Sequence, residues 1–182
     1  MKENKPTLKE LFIAPPFSVL DASGKEAIDC KNKYILKGIR SELGRKSLVY
    51  TASSSKDKDH VETLSKGWAD GTSEYRKKLI GKSGGISIFS PFVCEVMYKW
   101  FCPDGGSVLD PFAGGAIRGV VAKEKLLKYT GIELRKEQVD ANFQQANSAG
   151  YNDINWICGD SNIELDKINE TFDFVFSCPP IF

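Results

Sequence analysis

The sequence is short of the residues that build metal centres and disulfide frameworks. It contains one histidine, His60, and five cysteines without a Cys-x-x-Cys pair. Zinc sites need closely spaced cysteine and histidine ligands, and small disulfide folds need a dense cysteine pattern. We therefore expect neither a metal site nor a disulfide scaffold.

Long apolar runs are also absent. No uninterrupted apolar stretch approaches the ~20 residues that cross a bilayer. The opening Met-Lys-Glu-Asn-Lys-Pro lacks the apolar core of a signal peptide. The 182 residues are 41% hydrophobic and 27% charged, which is a globular balance. These features predict a soluble cytoplasmic protein with no membrane partner.

The net charge of +1 conceals an uneven distribution along the chain. Lysine and arginine outnumber acids in residues 1–90, and acids outnumber bases in residues 91–182. The first half is the better candidate for facing a polyanion, although surplus lysines are also typical of an ordinary solvated surface.

Residues 1–85 are predicted to form an irregular N-terminal extension. Residues 11–22 are expected to run as an extended strap, because each of their paired prolines disfavours helix before it. A helix is predicted over 25–36. Residues 51–85 are polar and rich in Ser, Lys, Asp and Gly, which indicates a mobile loop with a short helix over 61–68.

Residues 86–182 alternate strand and helix signals in regular order. Such alternation predicts parallel strands with right-handed crossovers, and therefore an α/β fold with a Rossmann-like doubly wound sheet. An extended segment is predicted at 86–89 and strands at 107–110, 128–134, 154–158 and 172–177, with helices from Pro91, over 116–127, over 136–148 and from Ser161.

The strongest local signal begins at the end of the first of these strands. Asp110 is followed by Pro-Phe-Ala and then by Gly114 and Gly115, directly before a predicted helix. Glycines let the backbone approach a ligand closely, and a helix N-terminus presents free amides. The spacing differs from Gly-x-Gly-x-x-Gly, and a carboxylate suits a cationic ligand better than a pyrophosphate. A tight strand-to-helix turn is the alternative interpretation.

The next two predicted strands also end in acids. Glu133 follows the glycine turn by about 20 residues, the distance at which an acid accepts hydrogen bonds from ribose hydroxyls in a βαβ unit. Asp160 follows the third strand, on the same carboxyl edge. Taken singly, Asp160 or Ser161 could equally cap the next helix.

The fourth predicted strand runs into Cys178-Pro179-Pro180. Consecutive prolines hold the backbone stiff, so that neighbouring carbonyls point in fixed directions. Carbonyl and side-chain oxygens that accept N–H bonds from an exocyclic amine would free its lone pair for attack on a sulfonium methyl. A simple proline stop after an edge strand is the alternative.

Together these segments resemble the DNA methyltransferases that modify adenine N6 or cytosine N4, particularly phage-borne members. The resemblance implies S-adenosylmethionine as cofactor and DNA as partner. Cys178 stands where this group usually has Asp, Asn or Ser, and Ile181 where it has an aromatic residue. The implied cofactor-binding residues are Asp110, Phe112, Gly114, Gly115, Glu133 and Asp160, and the implied catalytic residues are Cys178, Pro179 and Pro180.

The resemblance implies a methyltransferase core over residues 86–182 that is incomplete after the fourth strand, and thus a truncated or split enzyme in a bacterial host cell. Three alternatives stay open: a non-catalytic cofactor-binding or assembly module, an enzyme acting on RNA, and one acting on a protein amide. A last strand with an open edge would pair with a second copy or a complementing chain.

Overall fold

The protein is described by a computed structural model covering residues 8–13, 20–21, 24–40, 43 and 89–179. These residues belong to one compact unit, drawn from residues 1–44 and 89–182. The predicted loop over 51–85, with its short helix, lies outside the described residues. The predicted division of the chain at residue 85 stays a prediction.

The centre of the described unit is a four-stranded, all-parallel sheet in the order β3-β2-β1-β4. The chain steps outward from β1 to β3 and then returns to the other side of β1. This reversal confirms the predicted α/β, Rossmann-like fold. The elements are α1 (Leu8–Phe12), α2 (Lys25–Leu36), α3 (Pro91–Phe101), β1 (Ser107–Asp110), α4 (Ile117–Glu124), β2 (Lys128–Glu133), α5 (Lys136–Ser148), β3 (Asn155–Cys158), α6 (Ser161–Glu164), a 3₁₀ turn (Leu165–Lys167) and β4 (Phe174–Val175).

The predicted order of elements is confirmed throughout residues 91–179, while several boundaries differ. Helix α4 is shorter than the predicted 116–127, because its chain turns at Lys125 and Leu126. Strand β4 spans only Phe174–Val175 instead of 172–177. None of the helices in the described ranges is long and apolar enough to span a membrane.

The N-terminal segment corrects one prediction and confirms another. Residues 11 and 12 belong to helix α1, whereas we predicted an extended strap over 11–22. A proline prevents a helix from continuing through it and disfavours helix at the residue before it. Pro15 therefore limits how far α1 can extend but leaves Leu11 and Phe12 free to be helical. The predicted helix over 25–36 is confirmed as α2.

Helix α2 and the residues after it contribute to the core beside the sheet. Tyr34 and Ile39 are buried in the same cluster as Val108 of β1 and Val120 of α4. Burying these side chains stabilises the fold by roughly 1.5–3 kcal/mol for each large apolar group. The N-terminal segment is thereby fastened to the sheet that bears the candidate site.

Gly119 allows helix α4 to lie close to the sheet. A Cβ atom there would lie 2.8 Å from the Trp156 ring and 3.0 Å from Ile154. A side chain at this position would push α4 away from β3. The third glycine after Asp110 therefore has a packing role, in contrast to the turn glycines Gly114 and Gly115.

Leu126 occupies a backbone conformation that favours glycine. It follows helix α4 with φ of 62°, and its neighbour Leu127 donates a backbone hydrogen bond to Ala122 (2.9 Å). Helices α2 and α5 end in the same way, with Gly38 and Gly150 at the positive-φ position. Leu126 is 82% exposed, so its side chain gains little packing in return.

Replacing Leu126 by glycine is therefore expected to raise the free energy of unfolding by about 1 kcal/mol, because glycine relieves the left-handed strain. The melting temperature should rise by about 2–4 °C. The matched control is Gly150→Leu, which should lower stability by a similar amount. Calorimetric melting of both variants tests the pair, and a Leu126→Gly variant less stable than the wild type would contradict it.

Glu124, the last residue of α4, joins the C-terminal end of helix α2 to the rest of the domain. Its carboxylate lies 2.5 Å from Lys33 Nζ and 3.0 Å from Lys37 Nζ, and it accepts a hydrogen bond from the Tyr151 hydroxyl (2.9 Å). Burial alone would raise the pKa of Glu124, but these hydrogen bonds outweigh it and lower the pKa from 4.5 to about 2. These hydrogen bonds therefore stabilise the folded state when the Glu124 carboxylate is charged.

A carboxylate with a lowered pKa stabilises the fold above its ordinary pKa of 4.5 and loses that effect as the pH falls towards 2. Glu124→Gln is expected to cost on the order of 2 kcal/mol of unfolding free energy at pH 7. The cost should fall to under half at pH 3. Urea unfolding at the two pH values measures it.

The control for this prediction is Asp140→Asn, which breaks the exposed pair with Lys136 on α5. Exposed i,i+4 pairs contribute little, so this variant should unfold almost like the wild type at both pH values. An equal loss for Glu124→Gln at pH 7 and pH 3 would contradict the assigned role of the charge.

Candidate functional site

The candidate site lies at the carboxyl edge of the sheet, where the strand order reverses between β1 and β4. Ligands of open α/β sheets bind in the crevice at such a switch point. The turn after β1, residues 111–115, will be called the motif turn. The ends of β2, β3 and β4 all make hydrogen bonds with the motif turn or with Asp110.

Asp110, at the end of β1, has no exposed surface. Its Oδ2 accepts hydrogen bonds from Arg118 Nε (2.5 Å) and the Tyr129 hydroxyl (2.7 Å). Its Oδ1 accepts from the Ser177 hydroxyl (2.6 Å) and from the Phe112 amide (3.2 Å). Both carboxylate oxygens thus have partners within the domain, and of these Arg118 and Ser177 also bind the motif turn.

Arg118, on the first turn of α4, compensates the buried charge of Asp110. Burial would lower the pKa of its guanidinium, but the Asp110 carboxylate raises it above its usual value. Arg118 Nη2 also donates to the carbonyls of Phe112 (2.6 Å) and Ala113 (2.9 Å). Its guanidinium lies 4.7 Å from the centre of the Phe89 ring, in a cation–π contact.

The motif turn is held from several sides. The Ala113 amide donates to the carbonyl of Ile132 (2.8 Å), which binds the turn to β2. Gly114 has φ of 55°, and its carbonyl accepts from the buried Asn142 side chain of α5 (2.8 Å). Phe112 is exposed, and Gly115 is buried. The turn therefore presents one aromatic ring on an otherwise fixed backbone.

Glu133 faces the motif turn from the end of β2. Its Oε2 accepts a hydrogen bond from the Gly114 amide (3.0 Å), and its Oε1 accepts from the Arg135 amide (3.0 Å). The residue is partly exposed. A carboxylate has about four acceptor positions, so Glu133 keeps capacity for further donors.

Asp160 and Ser161 lie at the end of β3. The Asp160 carboxylate accepts from the Asn162 amide (2.9 Å) and so caps α6, the alternative that the sequence left open. Its side chain is nonetheless exposed. The Ser161 hydroxyl donates to the carbonyl of Pro111, which joins this end of β3 to the motif turn.

Cys178 and Pro179 follow β4 and are both exposed, while Pro180 lies outside the described residues. The residue before them, Ser177, accepts a hydrogen bond from the Phe112 amide (3.0 Å). The segment predicted to bind an amine therefore starts directly beside the motif turn.

The structure thus brings Phe112, Gly114 and Glu133 to one edge, with Asp160 and Cys178 on adjoining segments. Asp110 is buried instead, and it stabilises the motif turn through its hydrogen bonds. Sequence reasoning missed the partners of Asp110, which are Arg118, Tyr129 and Ser177. The only signal for them was an arginine in the first turn of the helix after the motif.

Comparison with known proteins adds a fold neighbour. No protein-family model matches the chain, and no curated protein matches it. Solved structures do match, among them the crystal structure of TrmN from Thermus thermophilus, at 20% sequence identity and a TM-score of 0.46. The match covers 50% of this chain and 29% of TrmN, so the chain spans under a third of that protein's length. A likeness of this size adds nothing on activity, and the strand order itself identifies the sheet as Rossmann-like.

Proposed function

We propose that the protein is an S-adenosylmethionine-dependent methyltransferase whose acceptor is an exocyclic amine of adenine or cytosine in DNA. The observation that supports it best is the contact between Glu133 and the Gly114 amide at the switch point of the sheet. An acid at the end of β2, held against a glycine turn after β1, is the arrangement that binds a nucleoside ribose beside a close backbone approach.

The residues around Glu133 match the chemistry of this cofactor. Glu133 would accept the ribose hydroxyls. Leu134 is 68% exposed and Ile163 is 57% exposed, and these apolar side chains follow β2 and β3 at the same edge, where an adenine ring needs apolar contacts. Asp160, also exposed, would accept from the adenine amine. Burial inside the domain does not account for the apolar side chains of Leu134 and Ile163, since both are mostly exposed.

The motif turn would hold the methionine part. Phe112, Gly114 and Gly115 would contact it, and the first amides of α4 would bind its carboxylate, because a helix N-terminus favours an anion. Asp110 is among the cofactor-binding residues that the resemblance implies. In the proposed site it would act indirectly, by holding the motif turn in place. When bound, the cofactor supplies an electrophilic methyl group on a sulfonium.

The acceptor side is assigned to Cys178, Pro179 and Pro180. The two prolines restrict the backbone, so neighbouring carbonyls point in fixed directions. These carbonyls would accept hydrogen bonds from the amine and orient its lone pair. DNA as the source of that amine rests on the resemblance of this segment to the amino-methyltransferases. RNA and a protein amide present the same planar amine chemistry.

The acceptor is tested with S-adenosylmethionine labelled in its methyl group. The labelled cofactor is incubated with the full chain and, in parallel, with duplex DNA, structured RNA or a protein mixture. Label in N6-methyladenine or N4-methylcytosine supports the proposal. Label confined to RNA or protein would assign the alternative acceptor, and absence of label in all three would contradict a methyltransferase acting alone.

A second candidate, a module that needs a further chain, is favoured by the position of β4. Among the described strands β4 pairs only with β1, and Val175 at this edge is 58% exposed. Such an edge is a template for another strand. We propose a second copy as its partner. Light scattering coupled to gel filtration should show a dimer, whereas a monomer at every concentration would contradict this pairing.

A further inference from the structure

Side chains help to fasten both ends of the short strand β4 to β1. The strand pairing itself consists of Val108 opposite Phe174 and Leu109 opposite Val175. At the start, the Asp173 carboxylate accepts from the Ser107 amide (2.8 Å) and hydroxyl (2.9 Å). The other end is fastened by Ser177. Backbone bonds from the Asp173 amide to the Ser107 carbonyl (3.1 Å) and from the Phe176 amide to the Leu109 carbonyl (3.0 Å) complete the attachment. Each end of the strand thus combines backbone bonds with one serine hydroxyl.

Ser177 makes two hydrogen bonds with different partners. Its hydroxyl donates to Asp110 Oδ1 (2.6 Å) and accepts from the Phe112 amide (3.0 Å). Asp110 is buried and compensated by Arg118, so it is a fixed anchor. Phe112 is the exposed residue of the motif turn. One hydroxyl thus joins a rigid carboxylate, the motif turn and the chain that leads to Cys178.

We propose that Ser177 is a positioning residue that sets the Cys178-Pro179 segment in register with the motif turn. The inference deepens the proposed function and rests on it, since these two segments would hold the acceptor and the cofactor. A methyl transfer needs the two reacting groups within about 3–3.5 Å, so an error in their relative placement is costly. Ser177 acts through its neighbours and touches neither reactant.

The chain offers closely matched variants for a test. Ser177→Ala removes the hydroxyl, and Ser177→Thr restores it. Ser107→Ala removes the corresponding hydroxyl at the opposite end of the same strand pair, while the Ser107 amide keeps its bond to Asp173. The two alanine variants therefore cause the same chemical change at the two ends of β4.

The first readout needs no ligand. NMR relaxation of the Cys178 amide and hydrogen exchange of the Phe112 amide are measured in all four proteins. The Cys178 order parameter should be near ~0.85 in the wild type, fall below ~0.6 in Ser177→Ala and recover in Ser177→Thr. Exchange at Phe112 should be at least about threefold faster in Ser177→Ala. Ser107→Ala should resemble the wild type in both.

The second readout is calorimetric titration with S-adenosylhomocysteine. Ser177→Ala is expected to bind about tenfold more weakly, with Ser177→Thr and Ser107→Ala near the wild-type affinity. Unchanged order at Cys178 and unchanged exchange at Phe112 in Ser177→Ala would overturn the inference. A wild type that binds no S-adenosylhomocysteine would instead overturn the proposed function, and the ligand-free readout still decides the role of Ser177.

A folding defect in Ser177→Ala does not prevent the test. In that case the wild type alone is titrated with S-adenosylhomocysteine while the Cys178 amide shift is followed. A shift of Cys178 that saturates together with that of Phe112 supports the inference. A response confined to the motif turn would overturn it.

Discussion

Replacing Arg118 by methionine is expected to lower the free energy of unfolding by about 3–5 kcal/mol, the usual cost of leaving a buried charge without its partner. Methionine keeps most of the apolar length but removes the Nε bond to Asp110 and the Nη2 bonds to the motif turn. Chemical unfolding at pH 7 measures the loss. A loss below about 1 kcal/mol would contradict the assigned role of the pair.

The reason for the loss is tested by adding Asp110→Asn to the Arg118 variant. Asparagine carries no charge, so the double variant should recover at least about 1 kcal/mol relative to Arg118→Met alone. The control is Arg40→Met, since the Arg40 side chain is exposed and this variant should unfold almost like the wild type. A double variant less stable than Arg118→Met would show that something other than the unpaired charge is responsible.

Replacing Glu133 by alanine is expected to weaken binding of S-adenosylhomocysteine by about 100-fold, because hydrogen bonds to a charged group each contribute about 1.5–3 kcal/mol. The variant also loses the acceptor of the Gly114 amide, which loosens the motif turn. Glu133→Gln keeps one acceptor oxygen and should lose about tenfold. Calorimetric titration gives the three affinities.

Glu137→Ala is the matched control for Glu133. Glu137 is an exposed acid in the first turn of α5, so the Glu137→Ala substitution removes the same charge from the same part of the chain. The affinity of Glu137→Ala for S-adenosylhomocysteine should lie within about twofold of the wild-type value. Thermal melting of each variant separates weak binding from loss of fold. Equal affinities for Glu133→Ala and Glu137→Ala would remove Glu133 from the site.

Much of the fold could be predicted from the sequence because its second half has consistent local signals. Ser90-Pro91 begins α3, Gly150 ends α5, and the apolar strands between them recur at regular spacing. Each signal is local, and together they specify a parallel sheet. The end of α4 lacked such a signal, since Leu126 occupies a position where glycine is expected.

The candidate site was harder to predict because the direction of a side chain depends on distant partners. The position of Asp110 at a strand end could be read from the sequence. Its orientation into the core depends on Arg118, Tyr129 and Ser177, which come from three other parts of the chain. No local pattern distinguishes an acid that binds a ligand from one that supports the turn above it.

The shortness of β4 has a similar origin. The sequence predicts a longer strand over 172–177, and Phe174 and Phe176 do pack against the core. Beyond Phe174 and Val175, single backbone bonds at Asp173 and Phe176 and the side chains of Asp173 and Ser177 make the remaining contacts with β1. The hydrophobic pattern therefore reports which residues face the core and leaves the extent of pairing open.

Isothermal titration of the wild-type chain with S-adenosylhomocysteine tests the central claim most directly, with NAD as a second ligand in a parallel titration. The arrangement of Glu133 and the motif turn predicts saturable binding of S-adenosylhomocysteine at one site. No binding of NAD is expected, because Gly114, Gly115 and Gly119 lack the Gly-x-Gly-x-x-Gly spacing of a dinucleotide turn. Absence of S-adenosylhomocysteine binding by the folded wild type, or tighter binding of NAD, would contradict the account.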